Sequence, residues 1–505
     1  MVRSPLACLA MPLLLAACGS SPGGGGDPSE VADAVVADVA GGIDTPAADA
    51  TPDASPAGVA PPVPPKVERR GDVTVVWLSG TPKEMGIQHG RLLHAEIADA
   101  MQFVLADPLL SAMPQVVQDT GILDILQAAA LPGILEECAG LVEAAGDTGL
   151  DFKMCLTLNM GDVALAFVQK GIPPEAPVAR MTWSAFTAAA AIAAARRESP
   201  AFGPGCTGVV ATGAATPDGR VYHSRNLDWG GMDFSITQKY PVVFVRQPAG
   251  GIPHVYVGFP LNLSPYTGMN EAGISIGTHQ AHPASMAELS RTGASNVQTT
   301  AVILRDARTL EEAEALVRRD RHMMTGILVL ADGASNTGAV FEYALDQVEK
   351  RRPDENGVVY AVNHFISPAM TPKGAKPSSG SILRWMRLKG LADPGGEESI
   401  HGRLDPAGLA DVMQDVTDPA TGEVPTLDDL AAVAWDNGKG IGCNGAMHLA
   451  LFDPGRRLFW VAAGVPPLHV KPYACFSLDE LLGRPGAPAC PAPEIPGVAA
   501  PSSAR

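Results

Sequence analysis

Gly205-Cys206-Thr207-Gly208-Val209-Val210 leads through a run of small residues to the turn Thr216-Pro217-Asp218-Gly219, and then to Arg225-Asn226-Leu227-Asp228. The order is strand, tight turn, returning strand. The hairpin would carry Arg225 and Asp228 back beside the Cys206 sulfur. A thiol near a guanidinium and a carboxylate has the makings of a nucleophile. Gly203-Pro204-Gly205 breaks the helical pattern before it. Cys206 lies mid-chain, so it becomes an N-terminus only if the chain is cut in front of it. A free α-amine has a pKa of about 7.7–8.0 and could then serve as the base. The thiol could make that cut itself, by attacking the Gly205 carbonyl and passing through a thioester. A buried strand cysteine with no chemistry is the structural alternative.

Outward from this hairpin, helical patterns dominate before it and strands after it. Asp72 to Leu78 alternates as a strand. Thr81-Pro82-Lys83-Glu84 is a capping box with proline at the first helical position, opening a helix through Ile87, Leu92, Ile97 and Met101. Helical periodicity then runs to about Ala195. Strands follow at Val242 to Val245 and His254 to Val257, and a second capping box spans Thr309 to Glu312. More strands lie at Gly326 to Ala331, Ala339 to Tyr343 and Gly357 to Val362. Helices are expected near Ser381 to Leu391 and Leu427 to Trp435, and a last hairpin turns on Asp453-Pro454-Gly455. Hairpins, helices and more hairpins give a layered α+β fold rather than a wound parallel sheet.

The ends read differently. Arg3, the apolar run Leu6 to Ala17, and Leu15-Ala16-Ala17-Cys18 form an export signal over residues 1–18, with Cys18 as the lipidated residue. Residues 19–66 are rich in Gly, Pro and Ala and read as a flexible tether. Residues 483–505 read as a loose Pro/Ala-rich tail. The folded body then divides into a mainly helical segment, 67–205, and a region 206–482 headed by the cysteine. The chain of 505 residues carries a net charge of −18, which argues against nucleic-acid partners and for a soluble acidic body tied to a membrane only through Cys18. In an oxidising space Cys138 with Cys155 and Cys475 with Cys490 are the first disulfides to test. No cysteine or histidine cluster has metal-ligand spacing, so no metal or cofactor is expected.

Taken in order, Gly205-Cys206-Thr207, Arg225-Asn226-Leu227-Asp228, Gly268-Met269-Asn270-Glu271-Ala272-Gly273, Val362-Asn363-His364 and Arg384-Trp385-Met386-Arg387 resemble the N-terminal-nucleophile amidases. That group includes choloylglycine hydrolase, penicillin V acylase and the isopenicillin N acyltransferases. Gly80-Thr81-Pro82 through Gly86 and His89-Gly90 looks like the pro-segment of the acyltransferase branch. The resemblance spans about Val73 to Pro467. It implies a four-layered αββα fold, self-cleavage between Gly205 and Cys206, and a small N-acyl amide as substrate, hydrolysed or transferred through an acyl-thioester.

Carried onto this sequence, the resemblance makes Cys206 the nucleophile and gives Asp228 the freed amine to hold. Arg225 and Arg384 would favour the thiolate and flank the pocket, and Asn363 would donate to the oxyanion. Where relatives place a second oxyanion donor, this chain has Ile274 to Gln280. Gln280 or His279 would substitute, and Asn270 reads as a turn residue near the pocket. Structural alternatives stand beside these roles. Arg225 and Asp228 could form a surface ion pair, Asn363-His364 could end a strand, and Arg384 could be an exposed helix residue. Two rival functions remain. One is a surface lipoprotein that binds an acylated ligand without catalysis. The other is an uncut Cys-His hydrolase using His279 or His364.

Overall fold

The computed structural model describes residues 61–170, 204–229, 235–396, 398–426, 440–443 and 445–497. The export signal, Cys18, most of the tether, the Ala185 to Ala195 stretch and the expected helix at Leu427 to Trp435 lie outside the described residues.

Two sheets form the centre. The first runs β1 (Lys66–Arg70), β2 (Val73–Gly80), β5 (Val242–Pro248), β6 (His254–Gly258), β7 (Thr267–Asn270), β8 (Ile274–Gln280), β9 (Gly326–Asp332), β10 (Thr337–Ala344) and β11 (Gln347–Arg351). Every neighbouring pair is antiparallel except β2 and β5, which are parallel. The second runs β12 (Val358–Ala361), β3 (Pro204–Gly213), β4 (Gly219–Trp229), β13 (Ala446–Asp453), β14 (Leu458–Ala463), β15 (Tyr473–Ser477) and β16 (Glu494–Ile495), antiparallel throughout.

Strand alternation assigns each residue a layer. Val75, Trp77, Val243 and Val245 turn inward and meet Ala450, Phe452, Phe459 and Val461 of the second sheet. Val76, Leu78 and Phe244 turn outward, onto the helices that precede Cys206. These are α1 (Pro82–Leu92), α2 (His94–Ala106), α3 (Pro108–Asp119), α4 (Ile122–Ala129), α5 (Pro132–Ala145), α6 (Phe152–Asn159) and α7 (Gly161–Lys170). After a short α8 (Ser235–Lys239), α9 (Asn296–Asp306) and α10 (Leu310–Arg319) cover the rest of that face, with Ile303, Leu310 and Val317 against Ile274 and Ile276. On the far side, α11 (Ser379–Ala392) and α12 (Pro406–Met413) pack Leu388, Leu409 and Met413 on Val209, Leu449 and Leu451. The result is four layers, helix, sheet, sheet, helix, as the resemblance implies. Each fully buried aliphatic or aromatic side chain contributes roughly 1.5–3 kcal/mol to holding these layers together.

Three sequence expectations need correction. The helix opened by the Thr81–Glu84 capping box does not run unbroken to Met101. It ends at Leu93, whose φ of −114° is outside the helical range, and α2 restarts so that Ile97 and Met101 face the sheet. The strand expected at Asp72 to Leu78 forms as β2, and the mainly helical segment before Cys206 supplies β1 beside it. The tail is not loose as far as residue 497. Cys475–Cys490 is a disulfide, β16 pairs with β15, and Arg484 bonds Glu271. The tether also docks earlier than expected, through Val63 on the Gln247 side chain.

Cys138–Cys155 is the second disulfide, tying α5 to α6. α5 crosses α1 so closely that a methyl group on Gly86 would collide with the Glu137 carbonyl, and one on Gly140 with that of Lys83. Glycine at Gly86 is therefore a packing requirement.

Candidate active site

The β3–β4 hairpin forms in the register Cys206 opposite Leu227, Gly205 opposite Asp228 and Gly208 opposite Arg225. Opposed residues share a face of the sheet. Cys206, Gly208, Leu227 and Arg225 therefore face the first sheet, where Cys206 packs with Leu227 and Met447. Asp228 and Thr207 face the outer helices.

Arg225 is fully buried. Its Nη2 donates to Cys206 Sγ at 3.1 Å and to the Thr278 carbonyl at 2.5 Å. It reaches the sulfur by passing over Gly277 of β8, where a Cβ would stand 2.7 Å from Arg225 Cδ. Glycine there clears the path. From there the guanidinium donates directly to the sulfur.

The backbone of Cys206 is gripped from the other side. Its N–H donates to Asn363 Oδ1 at 2.7 Å. Arg384, from α11, donates Nη1 to the Cys206 carbonyl and, at 3.0 Å, to Thr207 Oγ1. Its Nη2 donates to the same Asn363 Oδ1 at 2.8 Å. Asn363 Nδ2 in turn donates to the Gln280 carbonyl at 2.9 Å. Ser381, three residues before Arg384, accepts the Asn363 N–H at 3.1 Å. Strands β4 and β8, the segment after β12 and helix α11 thus converge on Cys206.

Asp228 does not stand beside the sulfur as the hairpin argument expects. Residues three apart on a strand point to opposite faces, so Arg225 takes the thiol side and Asp228 the side of Arg384 and Cys443. It lies at the level of Gly205, next to the bond that self-cleavage would cut. Burial pushes its carboxyl up, while the Arg384 and Arg225 charges and the Cys443 thiol pull it back down. Burial and the same carboxylate push the Cys443 thiol well up. Nothing in the sequence singled out Cys443.

Surface roles for these residues are ruled out by burial: Arg225 is 0%, Asp228 1% and Arg384 3% exposed. Gln280 reaches a small recess shared with Cys206, Leu227, Tyr266, Thr278, Asp162 and Asn296. His279 and Asn270 do not line it. The His279 ring turns between the sheets against Gly208, and burial with the Arg225 charge holds it well below the usual imidazole range. Asn270 closes the β7–β8 turn, accepting the Ile274 N–H and donating to the carbonyls of Leu304 and Ala307. Neither His279 nor His364 hydrogen-bonds the sulfur, and His364 Nδ1 pairs with Ser381 Oγ.

Beside the recess, and sharing Tyr266 with it, lies a larger apolar chamber with about 120 Å³ of free space. Phe103, Leu110, Met113 and Leu158 from the helices before Cys206 line it, with Phe259 and Met447 from after it. Among the described residues no group of three or more His, Cys, Asp or Glu side chains could hold a metal ion.

The chain resembles several known proteins. An uncharacterized protein of Archaeoglobus fulgidus is 26% identical over 349 residues, which cover 63% of this chain and 54% of that protein. The chain therefore spans about half the length of this curated relative. A Caenorhabditis elegans ortholog of N-acylethanolamine-hydrolyzing acid amidase superposes with a TM-score of 0.33 at 15% identity, over 50% of this chain and 93% of that one. A mutant conjugated bile acid hydrolase of Clostridium perfringens gives 0.33 at 12% identity, over 55% and 93%. Residues 215–464 match the family described as acyl-coenzyme A:6-aminopenicillanic acid acyl-transferase, a stretch that begins beyond Cys206 and takes in Arg225, Asp228, Asn363 and Arg384. Over residues 215–464 the chain belongs to that acyl-transferase family, within the N-terminal-nucleophile hydrolases.

Proposed function

We propose that this chain is the precursor of a cysteine N-terminal-nucleophile amidase, which cuts itself before Cys206 and acts on a small N-acyl amide with an apolar acyl group. The observation that carries this reading is the 3.1 Å contact between Arg225 Nη2 and Cys206 Sγ, on a residue whose backbone is held by Asn363 and Arg384. In self-cleavage the sulfur attacks the Gly205 carbonyl, the C–N bond to Cys206 breaks, and water hydrolyses the resulting thioester. Asp228, paired with Gly205, would then hold the new α-amine. In turnover the amine takes the thiol proton, the thiolate attacks the amide carbonyl, and the departing amine leaves with a proton. Water or an acceptor amine releases the acyl group. The chamber lined by Phe103, Leu110, Met113 and Leu158 supports an apolar acyl chain.

The signal-like start and Cys18 support export with a lipid anchor, and the two disulfides accord with an oxidising compartment. In that compartment hydrolysis is favoured over transfer from coenzyme A, a cytoplasmic donor.

The test is expression of residues 61–505 followed by intact-mass measurement. Two fragments, the second beginning at Cys206 and both lost in Cys206→Ala, are the expected result. A single uncut chain that still hydrolyses amides sinks the reading. A wild-type chain that is neither cut nor acylated at Cys206 favours the ligand-binding lipoprotein.

A further inference from the structure

Three residues lining the recess beside the Cys206 thiol carry a side-chain atom with no hydrogen-bond partner among the described residues: Asp162 Oδ1, Gln280 Nε2 and Asn296 Oδ1. All three residues are more than nine-tenths buried. They arrive from three elements. Asp162 opens α7, in the segment before the cysteine, and its Oδ2 accepts the Asn296 N–H at 3.2 Å. Asn296 is the first residue of α9 and Gln280 the last of β8. Gln280 is held by its own carbonyl, through Asn363 Nδ2. Buried polar atoms are seldom left without partners, so three such residues lining one space point to an occupant.

The recess has about 20 Å³ of water-sized space, enough to hold a water. The polarity also fits water. Asp162 Oδ1 and Asn296 Oδ1 accept, and Gln280 Nε2 donates. A water molecule can give its two protons to the acceptors and take one from Gln280, with a lone pair to spare. A substrate oxyanion would satisfy Gln280 but would face the Asp162 carboxylate. Burial lifts Asp162 to about 6, so it is ionised at neutral pH and able to take a proton. Around it stand the neutral phenols of Tyr266 and Tyr343 and the Cys206 thiol.

We propose that Asp162, with Asn296 and Gln280, holds and deprotonates the water that hydrolyses the acyl group off Cys206. This rests on the amidase reading. The water oxygen bonds to the thioester carbonyl carbon as one of its protons passes to Asp162 Oδ1. The tetrahedral adduct collapses, the C–S bond breaks, and its electron pair returns to Cys206 Sγ beside Arg225. The product leaves as a carboxylic acid, and the proton on Asp162 passes to the sulfur, restoring thiol and carboxylate. The step assigns acylation to the residues around Cys206, and deacylation to a side chain of the preceding segment.

The experiment uses the processed enzyme with p-nitrophenyl octanoate as the acyl donor. It follows the p-nitrophenol burst, the steady rate and the intact mass of the fragment beginning at Cys206. For Asp162→Asn the burst should persist within a few-fold while deacylation falls about 100-fold or more, and the octanoyl mass should accumulate on Cys206. Hydroxylamine, a nucleophile that needs no base, should restore turnover as the hydroxamate. Equal loss of burst and steady rate, or an unchanged deacylation rate, overturns the proposal. If Asp162→Asn does not fold, Gln280→Leu, which removes the donor to the water, must show the same split or the proposal fails. If the wild-type enzyme never carries octanoyl on Cys206, the amidase reading itself is wrong and this step falls with it. That outcome is distinct from an acylated enzyme whose deacylation ignores Asp162.

Discussion

Arg225 and Asp228 stand three residues apart on one strand and therefore serve opposite faces of the sheet, the guanidinium at the Cys206 sulfur and the carboxylate at the level of Gly205. What reads in the sequence as one charged cluster is two separate devices. One bonds the sulfur, and the other lies level with the residue before it.

Arg225→Met should therefore weaken the sulfur as a nucleophile without removing the cut site. A hydrogen bond to a charged group contributes about 1.5–3 kcal/mol, so alkylation of Cys206 by iodoacetamide at neutral pH should slow by roughly 10- to 100-fold. Rates taken by mass on the Cys206 peptide check this. An unchanged rate would show that the 3.1 Å contact does not activate the thiol.

Asp228→Asn should leave Arg225 and the thiol in place but slow the appearance of the new N-terminus. Uncut chain should accumulate over hours after synthesis, read by gel and mass, while iodoacetamide still labels Cys206. Loss of labelling along with the cut would mean that the substitution disturbs the whole site.

Gly277→Ala tests the path of Arg225 without touching a charged group. The new methyl would lie 2.7 Å from Arg225 Cδ, and overpacking of this kind costs about 1–3 kcal/mol. The melting temperature should fall modestly while activity falls as far as in Arg225→Met. If activity tracks only the small loss of stability, the close passage is incidental.

Acid should destabilise the protein well before the carboxylates titrate. Burial lowers His89 to about 4 and His223, His254 and His448 to about 3. An unfolded histidine titrates near 6.5, so below that pH the unfolded chain binds protons that the folded one refuses. Each histidine then removes about 1.4 kcal/mol per pH unit until its folded value is reached. Asp162, raised to about 6, acts in the opposite sense over its own window, as do the raised carboxyls of Asp228, Asp393, Asp411 and Asp453, whereas the lowered His279, His322, His364 and His469 add to the loss. Urea midpoints at pH 7 and pH 5 should show a clear fall. Equal midpoints would contradict the neutral burial of these rings.

Glu137 and Arg246 form a buried bidentate pair, at 2.6 and 2.7 Å, between α5 before the cysteine and β5 after it. Glu137→Ala strands the Arg246 charge and should cost about 3–5 kcal/mol, checked by chemical denaturation. A cost under about 1 kcal/mol would show that solvent reaches the guanidinium.

Much of this arrangement was legible in the sequence, and the failures have physical causes. The β3–β4 hairpin and the β13–β14 hairpin were readable because period-two alternation and Pro-Asp-Gly or Asp-Pro-Gly turns mark both. Asn363 and Arg384 came from motif order, and the structure brings both to the Cys206 backbone. Asp162 was missed because an acidic residue in the first turn of a helix is the ordinary helix-start signal. Only its burial, with an oxygen left over, distinguishes it. The ordered tail was missed, although Cys475 with Cys490 was named as a pair to test, because Pro and Ala composition says nothing of the two-residue strand that pairs with β15.

The two disulfides also bear on how the molecule would be joined once cut. Cys138–Cys155 lies wholly before the Gly205–Cys206 bond and Cys475–Cys490 wholly after it. No covalent bridge among the described residues crosses that bond. After cleavage the halves would be a non-covalent heterodimer interlocked by the parallel pairing of β2 with β5. Denaturant alone, without reductant, should part them, and recovery of function after its removal would require both halves in one tube.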